Sequence, residues 1–150
     1  MKIQPADDMD KVREMFREYE TEIGIDLCFQ GFEEELKTLP GKYAPPKGII
    51  LFACEEDELA GCAALRPLEE GVCEMKRLYV KPEMRGRGIG SALAKEIVAF
   101  AKNAGYKKIR LDTLDSMTTA RAIYEGLGFK IIGGYYESPL ENVSYMELDI

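Results

Sequence analysis

One segment restricts the fold of this chain more than any other, the glycine-rich stretch VKPEMRGRGIGSAL at residues 80–93. It follows a β-rich run, VCEMKRLYV, and leads into apolar residues at helical spacing. A strand, a glycine turn and a helix that begins at that turn form a site for anions, because the free N–H groups of the first helical turn point outward. The sequence therefore predicts a phosphate-binding turn between a strand and a helix.

Two well-known phosphate-binding patterns differ from this segment. The P-loop requires G-x-x-x-x-G-K-[ST], and the sequence contains no such string. The dinucleotide fingerprint G-x-G-x-x-G would need glycine where the chain has Ser91, and it follows the first strand of a sheet rather than about the fourth. The sequence of the segment and its position in the chain both disfavour a nucleotide ligand. Binding of ATP or NAD ranks below the two hypotheses given at the end of this subsection.

Composition limits the class of protein. The chain has 150 residues, of which 46% are hydrophobic and 31% charged, enough for one core and too few for two, so residues 1–150 are expected to form a single domain. The net charge of -7 argues against nucleic acid as a partner and mildly favours a cationic substrate. Neither a cationic leader nor an apolar run of membrane length occurs, so we expect a cytoplasmic protein without a membrane partner.

The cysteines and the absence of histidine restrict the chemistry. Cys28, Cys54, Cys62 and Cys73 have no C-x-x-C spacing, so we expect reduced thiols and no metal. Without histidine, neither a Cys–His pair nor a Ser-His-Asp triad can form. Any general base must be a carboxylate, a tyrosine, a cysteine or a chain of water molecules.

The periodicity of apolar residues predicts the order β-α-α-β-β-β-α-β-α-β-β, a mixed sheet flanked by helices in the α/β (α+β) class. The second helix is predicted around Phe32 to Leu39, and the first hairpin from two strands, Ile49 to Cys54 and Leu59 to Leu65. Gly105 is expected to end the helix that follows the glycine segment.

Two motifs together resemble the GNAT superfamily of acetyl-CoA-dependent N-acetyltransferases. The first is R-x-x-G-x-G, spelled by Arg85, Gly88 and Gly90, which is similar to the pyrophosphate loop of that superfamily. The second is ARAIYEGLGF, which resembles its helix-to-strand segment ending in L-G-F. The resemblance covers nearly the whole chain and implies a GNAT-like, mostly antiparallel sheet and an N-acetyltransferase that uses acetyl-CoA.

The resemblance also implies which residues hold the coenzyme. Glycines let the backbone approach the pyrophosphate without Cβ clashes, and the preceding strand offers backbone groups to the pantetheine arm and the thioester carbonyl. The family commonly has Asn where this chain has Met117, so Ser116 or Thr113 would have to replace that contact. The predicted coenzyme-binding residues are Leu78, Tyr79, Val80, Arg85, Gly86, Arg87, Gly88, Ile89, Gly90 and Ser91.

Glu74 is the candidate general base. It stands eleven positions before Arg85 (85 − 74 = 11), the offset of the base in the histone-acetylating branch of the superfamily. The alternative is an ion pair between Glu74 and Lys76 or Arg66 on the sheet surface. Strand alternation predicts Glu74, Lys76, Leu78 and Val80 on one face unless a bulge intervenes.

Tyr124 is the candidate general acid, because the family often has a tyrosine here that protonates the departing thiolate. A phenol with a pKa near 10 gives its proton to a thiolate with a pKa near 8.5 at a cost of about 2 kcal/mol. The alternative is a core aromatic whose hydroxyl is bonded elsewhere.

The acceptor end is expected between the first two helices and in the segment before the last strand. Tyr135 and Tyr136 either wall an amine pocket or cover the core, and the other predicted substrate residues are Phe29 and Phe32. The acceptor is a small-molecule or peptide amine, and the protein is a monomer or homodimer. The second hypothesis is a non-catalytic acyl-CoA-binding sensor or interaction module, which would need the glycine segment but not Glu74 or Tyr124.

Overall fold

The computed structural model describes the backbone of residues 1–150 and every side chain except that of Phe29. The predicted order of helices and strands is confirmed. The helices are α1 (Met9–Ile23), α2 (Phe32–Lys37), α3 (Ile89–Asn103) and α4 (Thr118–Leu127). The strands are β1 (Lys2–Pro5), β2 (Ile49–Glu55), β3 (Glu58–Glu69), β4 (Val72–Val80), β5 (Lys108–Leu114), β6 (Lys130–Ile132) and β7 (Val143–Asp149).

Two predicted boundaries differ from the structure. Helix α2 ends at Lys37 rather than near Leu39, because Leu39 precedes Pro40 and a residue before proline is disfavoured in the helical region. Strand β3 continues beyond Leu65 to Glu69, because it pairs with β4 as far as the turn at Gly71, where φ is 76°.

These seven strands form one sheet in the order β1-β2-β3-β4-β5-β7-β6, and among the described strands β4 with β5 is the only parallel pair. This mixed, mostly antiparallel sheet confirms the predicted fold class. The parallel pairing is short, since it joins residues 72–74 of β4 to residues 108–110 of β5 and ends there in the described backbone. The two strands therefore separate towards their carboxyl ends and leave a gap in the middle of the sheet.

A β-bulge in β4 reverses the side-chain pattern before that gap. Ala64 pairs with Lys76 and Cys62 with Tyr79, so two residue steps on β3 match three on β4, and Arg77 takes a φ of 60°. Such an insertion changes which face the following side chains occupy. Leu78 therefore packs on the side of the sheet that α3 covers, while Lys76 lies near Tyr19 of α1 and Gln30. The exception that the sequence left open, an intervening bulge, therefore occurs, and Glu74 and Lys76 do not share a face with Leu78 and Val80.

Two hydrophobic cores cover the faces of the sheet. One lies under α3 and α4 and includes Ile89, Leu93 and Ile97, which recur at helical spacing and are at most 1% exposed. The other lies under α1 and α2 and includes Phe16 and Phe32. The sheet is thus fixed from both sides, which holds the separated ends of β4 and β5 apart.

Gly61 of β3 is a position where the sheet has no room for a side chain. A Cβ there would lie 2.5 Å from the carbonyl oxygen of Tyr79 and 3.3 Å from Cδ1 of Leu93. Because the carbonyl belongs to the neighbouring strand, it cannot move without breaking the sheet. We expect Gly61→Ala to lower the free energy of unfolding by about 1–3 kcal/mol, measured by urea denaturation.

Gly126→Ala provides the matched control. Gly126 lies within α4, and a Cβ added there would meet no neighbouring atom within 4 Å, so alanine is expected to be neutral or to stabilise by up to about 1 kcal/mol. Equal unfolding free energies for the two variants would contradict the close packing of β3 on β4.

Candidate active site

The glycine segment forms the turn at the start of α3. Gly86 and Gly88 have φ angles of 80° and 78°, in the left-handed region that favours glycine, and Gly88 is the N-cap of the helix. Among the described side chains, none caps this end. The first helical hydrogen bond runs from Ala92 N–H to the Gly88 carbonyl, so three earlier N–H groups stay open for an anion.

A large cleft opens in front of this turn. Its volume is about 730 Å³, within the range of small-molecule sites. The glycine turn and residues 78–80 of β4 form one wall, and residues 116–120 at the start of α4 form the other. The predicted coenzyme residues that line it are Leu78, Tyr79, Val80, Arg85, Gly86, Gly88, Ile89, Gly90 and Ser91.

The two arginines of the segment have different surroundings. Arg85 donates from Nε to the Val80 carbonyl at 3.0 Å and from Nη1 to Glu22 at 2.9 Å, so its guanidinium ties the turn to β4 and α1. Arg87 is exposed and is not among the residues that line the cleft. Of the ten predicted coenzyme residues, Arg87 is thus the one that the structure leaves outside the cleft wall.

Met117, the position where the family commonly has Asn, lies in the wall formed by α4. Ser116 and Thr118 line the same wall, so hydroxyl groups flank the methionine. The Thr113 hydroxyl lies 4.0 Å from the Met117 sulfur on the inner side. This wall therefore presents hydroxyls and a thioether to the cleft.

The gap between β4 and β5 forms a recess of about 30 Å³ that joins the cleft, since Tyr19, Leu78 and Met117 line both. About 10–15 Å³ suffices for one water molecule, so the recess has room for one small polar group. The polar and aromatic side chains that line it are Tyr19, Gln30, Lys76, Arg77, Asp112, Thr113 and Tyr124.

Glu74 is buried beside this recess, with 1% of its surface exposed. Arg66 contacts its Oε1 through Nε and Nη2, both at 2.9 Å, and the Tyr135 hydroxyl donates to its Oε2 at 2.6 Å. The ion pair with Arg66 that the sequence offered as an alternative is therefore formed. Glu74 lines neither cavity, so neighbouring side chains separate its carboxylate from both.

Tyr124 lines the recess from α4. Burial raises the pKa of its hydroxyl well above the ordinary value, with smaller contributions from Tyr19 and Asp112. Its ring packs on Phe129, with the ring centroids 5.7 Å apart. The hydroxyl therefore stays protonated at neutral pH and lies where the recess meets α4.

Tyr135 and Tyr136 cover the acidic side of the site. The Tyr136 hydroxyl donates to Asp112 at 2.6 Å, as Tyr135 does to Glu74, and both rings pack against Tyr145 at about 5.3–5.4 Å between centroids. Sequence reasoning named Lys76 only as a possible ion-pair partner of Glu74, and it did not name Asp112. The available signal was a group of charged positions, Glu74, Lys76 and Arg77, within an otherwise apolar central strand.

The predicted substrate residues of the first loop lie elsewhere. Phe32 is fully buried and packs under Arg77, whose guanidinium carbon lies 5.1 Å from the ring centroid. Arg77 in turn donates to Glu35 and Gln30. Phe32 therefore supports the floor of the recess rather than lining it, and the Phe29 side chain lies outside the described residues.

Comparison with known proteins identifies the family of this chain. The Acetyltransferase (GNAT) family profile matches residues 9–129. An uncharacterized N-acetyltransferase of Schizosaccharomyces pombe is 44% identical over 145 residues, covering 95% of this chain and 89% of that protein. The chain belongs to the GNAT acetyltransferase family. As a GNAT acetyltransferase it is an acyltransferase enzyme, as the sequence predicted.

Solved GNAT structures agree with the fold. An acetyltransferase from Streptococcus agalactiae superposes with a TM-score of 0.80 at 19% identity, over 99% of this chain and 98% of that one. A GNAT acetyltransferase from Elizabethkingia anophelis, solved with acetyl-CoA bound, has a TM-score of 0.59 at 27% identity and covers 69% of this chain and 77% of its own. In the described part of this GNAT protein, no helix has the length and apolarity to cross a membrane.

Proposed function

We propose that this GNAT protein transfers an acetyl group from acetyl-CoA to a primary amine by direct attack of the amine on the thioester. One observation carries the proposal: the cleft at the uncapped start of α3 continues into a recess that contains proton-transfer groups. The chain from residue 1 to residue 150 is proposed to act as one catalytic domain.

The proposed coenzyme site uses backbone groups more than side chains. The N–H groups of Ile89, Gly90 and Ser91 would bond the pyrophosphate, where the dipole of α3 also favours negative charge. The backbone of Leu78 to Val80 would hold the pantetheine arm beside the gap, where it lines the cleft. The thioester would then reach the recess that Tyr124 lines.

The proposed chemistry addresses two protons. An alkyl ammonium must lose one proton before it can attack, a cost of roughly 4–5 kcal/mol at neutral pH. Glu74 is proposed as the general base for this proton, acting through an intermediary because its oxygens are bonded to Arg66 and Tyr135. Tyr124 is proposed as the general acid that protonates the leaving thiolate, and no side chain is required as a covalent acetyl carrier.

The acceptor amine is proposed to enter beside Tyr135 and Tyr136. Their hydroxyls bond Glu74 and Asp112, so the two rings form the cover of the acidic side of the recess. An acceptor of positive charge suits this side and the acidic chain as a whole.

The test is release of coenzyme A thiol from acetyl-CoA across a panel of polyamines, amino acids, peptides and aminoglycosides. We expect amine-dependent release with a 1:1 yield of N-acetylated product. Tight acetyl-CoA binding without transfer to any amine would contradict the proposed reaction and favour an acyl-CoA-binding sensor.

A further inference from the structure

We infer that Lys76 is the group that takes the proton directly from the acceptor amine, with Glu74 and Asp112 positioned behind it. This inference rests on the proposed function and identifies the intermediary that Glu74 requires. It adds a catalytic residue that neither motif of the family resemblance includes.

Lys76 stands between the buried carboxylate and the recess. Glu74 lines neither cavity, while Lys76 and Asp112 both line the recess together with Leu78 and Tyr124. A group that occupies the recess therefore lies against Lys76 and not against Glu74. The bulge at Arg77 produces this arrangement, because it turns Leu78 to the other face immediately after Lys76.

The amine of Lys76 lines the recess without a carboxylate at hydrogen-bond distance. Its side chain is 4% exposed, and its Nζ lies 4.0 Å from both Glu74 Oε1 and Asp112 Oδ1, beyond hydrogen-bond length. Among the described side chains, none accepts a hydrogen bond from Nζ. Among the described residues, no fully enclosed side-chain nitrogen or oxygen lacks a hydrogen-bond partner, so Nζ reaches the open space of the recess, where a ligand can contact it.

The surrounding charges allow the amine to change its protonation state. The pKa of Lys76 is lowered, first by burial and then by Arg77 and Arg66, against the opposing effects of Glu74 and Asp112. The titratable and charged groups that face or border it are Glu74 and Arg77 of β4, Arg66 of β3, Asp112 of β5, Tyr19 of α1, Glu35 of α2, Tyr124 of α4, and Tyr135 and Tyr136 before β7. The neutral amine is thus more accessible than in an exposed lysine, and two carboxylates stabilise the ammonium once it forms.

Protons and bonds balance over the proposed steps. Neutral Lys76 takes one proton from the acceptor ammonium, and the free amine forms a C–N bond with the thioester carbonyl carbon. The C–S bond then breaks, the thiolate takes the Tyr124 proton, and the second proton lost from the acceptor nitrogen restores Tyr124. The Lys76 proton leaves to solvent, so each turnover yields an amide, a thiol and one released proton.

The experiment compares Lys76→Met, which removes the amine, with Lys76→Arg, which keeps a positive charge but does not deprotonate in the working pH range. We expect both to lower kcat by roughly 100-fold or more while the acetyl-CoA Kd stays within about threefold of wild type. The loss should be largest near neutral pH, where free amine is scarce, and should shrink as the pH approaches the pKa of the acceptor ammonium, so both variants should depend on pH more steeply than wild type. Lys102→Met, on the exposed end of α3, is the control and should match wild type.

A second readout does not depend on turnover. With lysine labelled at 13Cε, the resonance missing in Lys76→Met identifies Lys76, and we expect it to titrate at lower pH than the exposed lysines. Titration of Lys76 together with the exposed lysines would overturn the inference, as would a Lys76→Arg rate within about threefold of wild type. If the wild-type protein transfers acetyl to no amine, both the proposed function and this inference are contradicted. If the wild-type protein and Lys76→Arg are both active, only the role of Lys76 is contradicted.

Discussion

Replacing Tyr124 with phenylalanine is expected to lower kcat by roughly 100-fold while leaving the acetyl-CoA Kd within about twofold of wild type. Burial keeps the hydroxyl protonated, because the pKa of Tyr124 is raised in the recess. A raised pKa makes Tyr124 a weaker acid. Burial also raises the pKa of the leaving thiol, which offsets part of the increased pKa difference between the tyrosine and the thiol. Stopped-flow measurement of thiol release, together with calorimetric titration of acetyl-CoA, separates the chemical step from binding.

Tyr106→Phe is the matched control for that experiment. Its hydroxyl donates to the Lys47 carbonyl at 2.7 Å, and Tyr106 lines neither the cleft nor the recess. The control should therefore keep the wild-type rate. A wild-type kcat in Tyr124→Phe would assign thiolate protonation to solvent and remove Tyr124 from the chemistry.

Placing a carboxylate at Gly88 is expected to weaken acetyl-CoA binding by roughly 100-fold or more, which corresponds to about 2.7 kcal/mol. Gly88 is the N-cap of α3, at a φ of 78°, and the cleft lies directly in front of it. The carboxylate of Gly88→Asp would compete for the open N–H groups of the first turn and repel the pyrophosphate. Because this repulsion is screened by ions, part of the loss should be recovered at high salt concentration.

Gly88→Asn separates charge from backbone strain. Asparagine and aspartate have nearly the same shape, and both tolerate the left-handed conformation better than other residues. We expect Gly88→Asn to bind acetyl-CoA within about tenfold of wild type and at least tenfold more tightly than Gly88→Asp. Equal affinities of the two variants for acetyl-CoA would contradict the position assigned to the pyrophosphate.

The glycine segment allowed a strong prediction because its geometry is local. Left-handed glycines followed by an apolar period of 3.6 residues specify a turn and a helix start whatever the rest of the fold does. The same holds for Gly105, which was predicted to end α3 and follows it with a φ of 90°. The order of helices and strands could be predicted for this reason.

The catalytic end was less predictable because it depends on pairing between strands that are far apart in sequence. The bulge at Arg77 results from the register of β4 on β3, and it separated Leu78 from Glu74 and Lys76. The recess results from the short pairing of β4 with β5, which brings Asp112 beside Lys76. Neither register is encoded in a local pattern, so sequence reasoning found Glu74, gave Lys76 only as its ion-pair partner, and did not find Asp112 in the recess.

The most direct test of the central claim is calorimetric titration of the wild-type protein with acetyl-CoA, beside ATP and NADH. A cleft formed by the start of α3 and the carboxyl end of β4 predicts micromolar binding of acetyl-CoA and no measurable binding of ATP or NADH. Folded protein that fails to bind acetyl-CoA, or that binds ATP or NADH equally well, would contradict the assignment of this cleft to an acyl coenzyme.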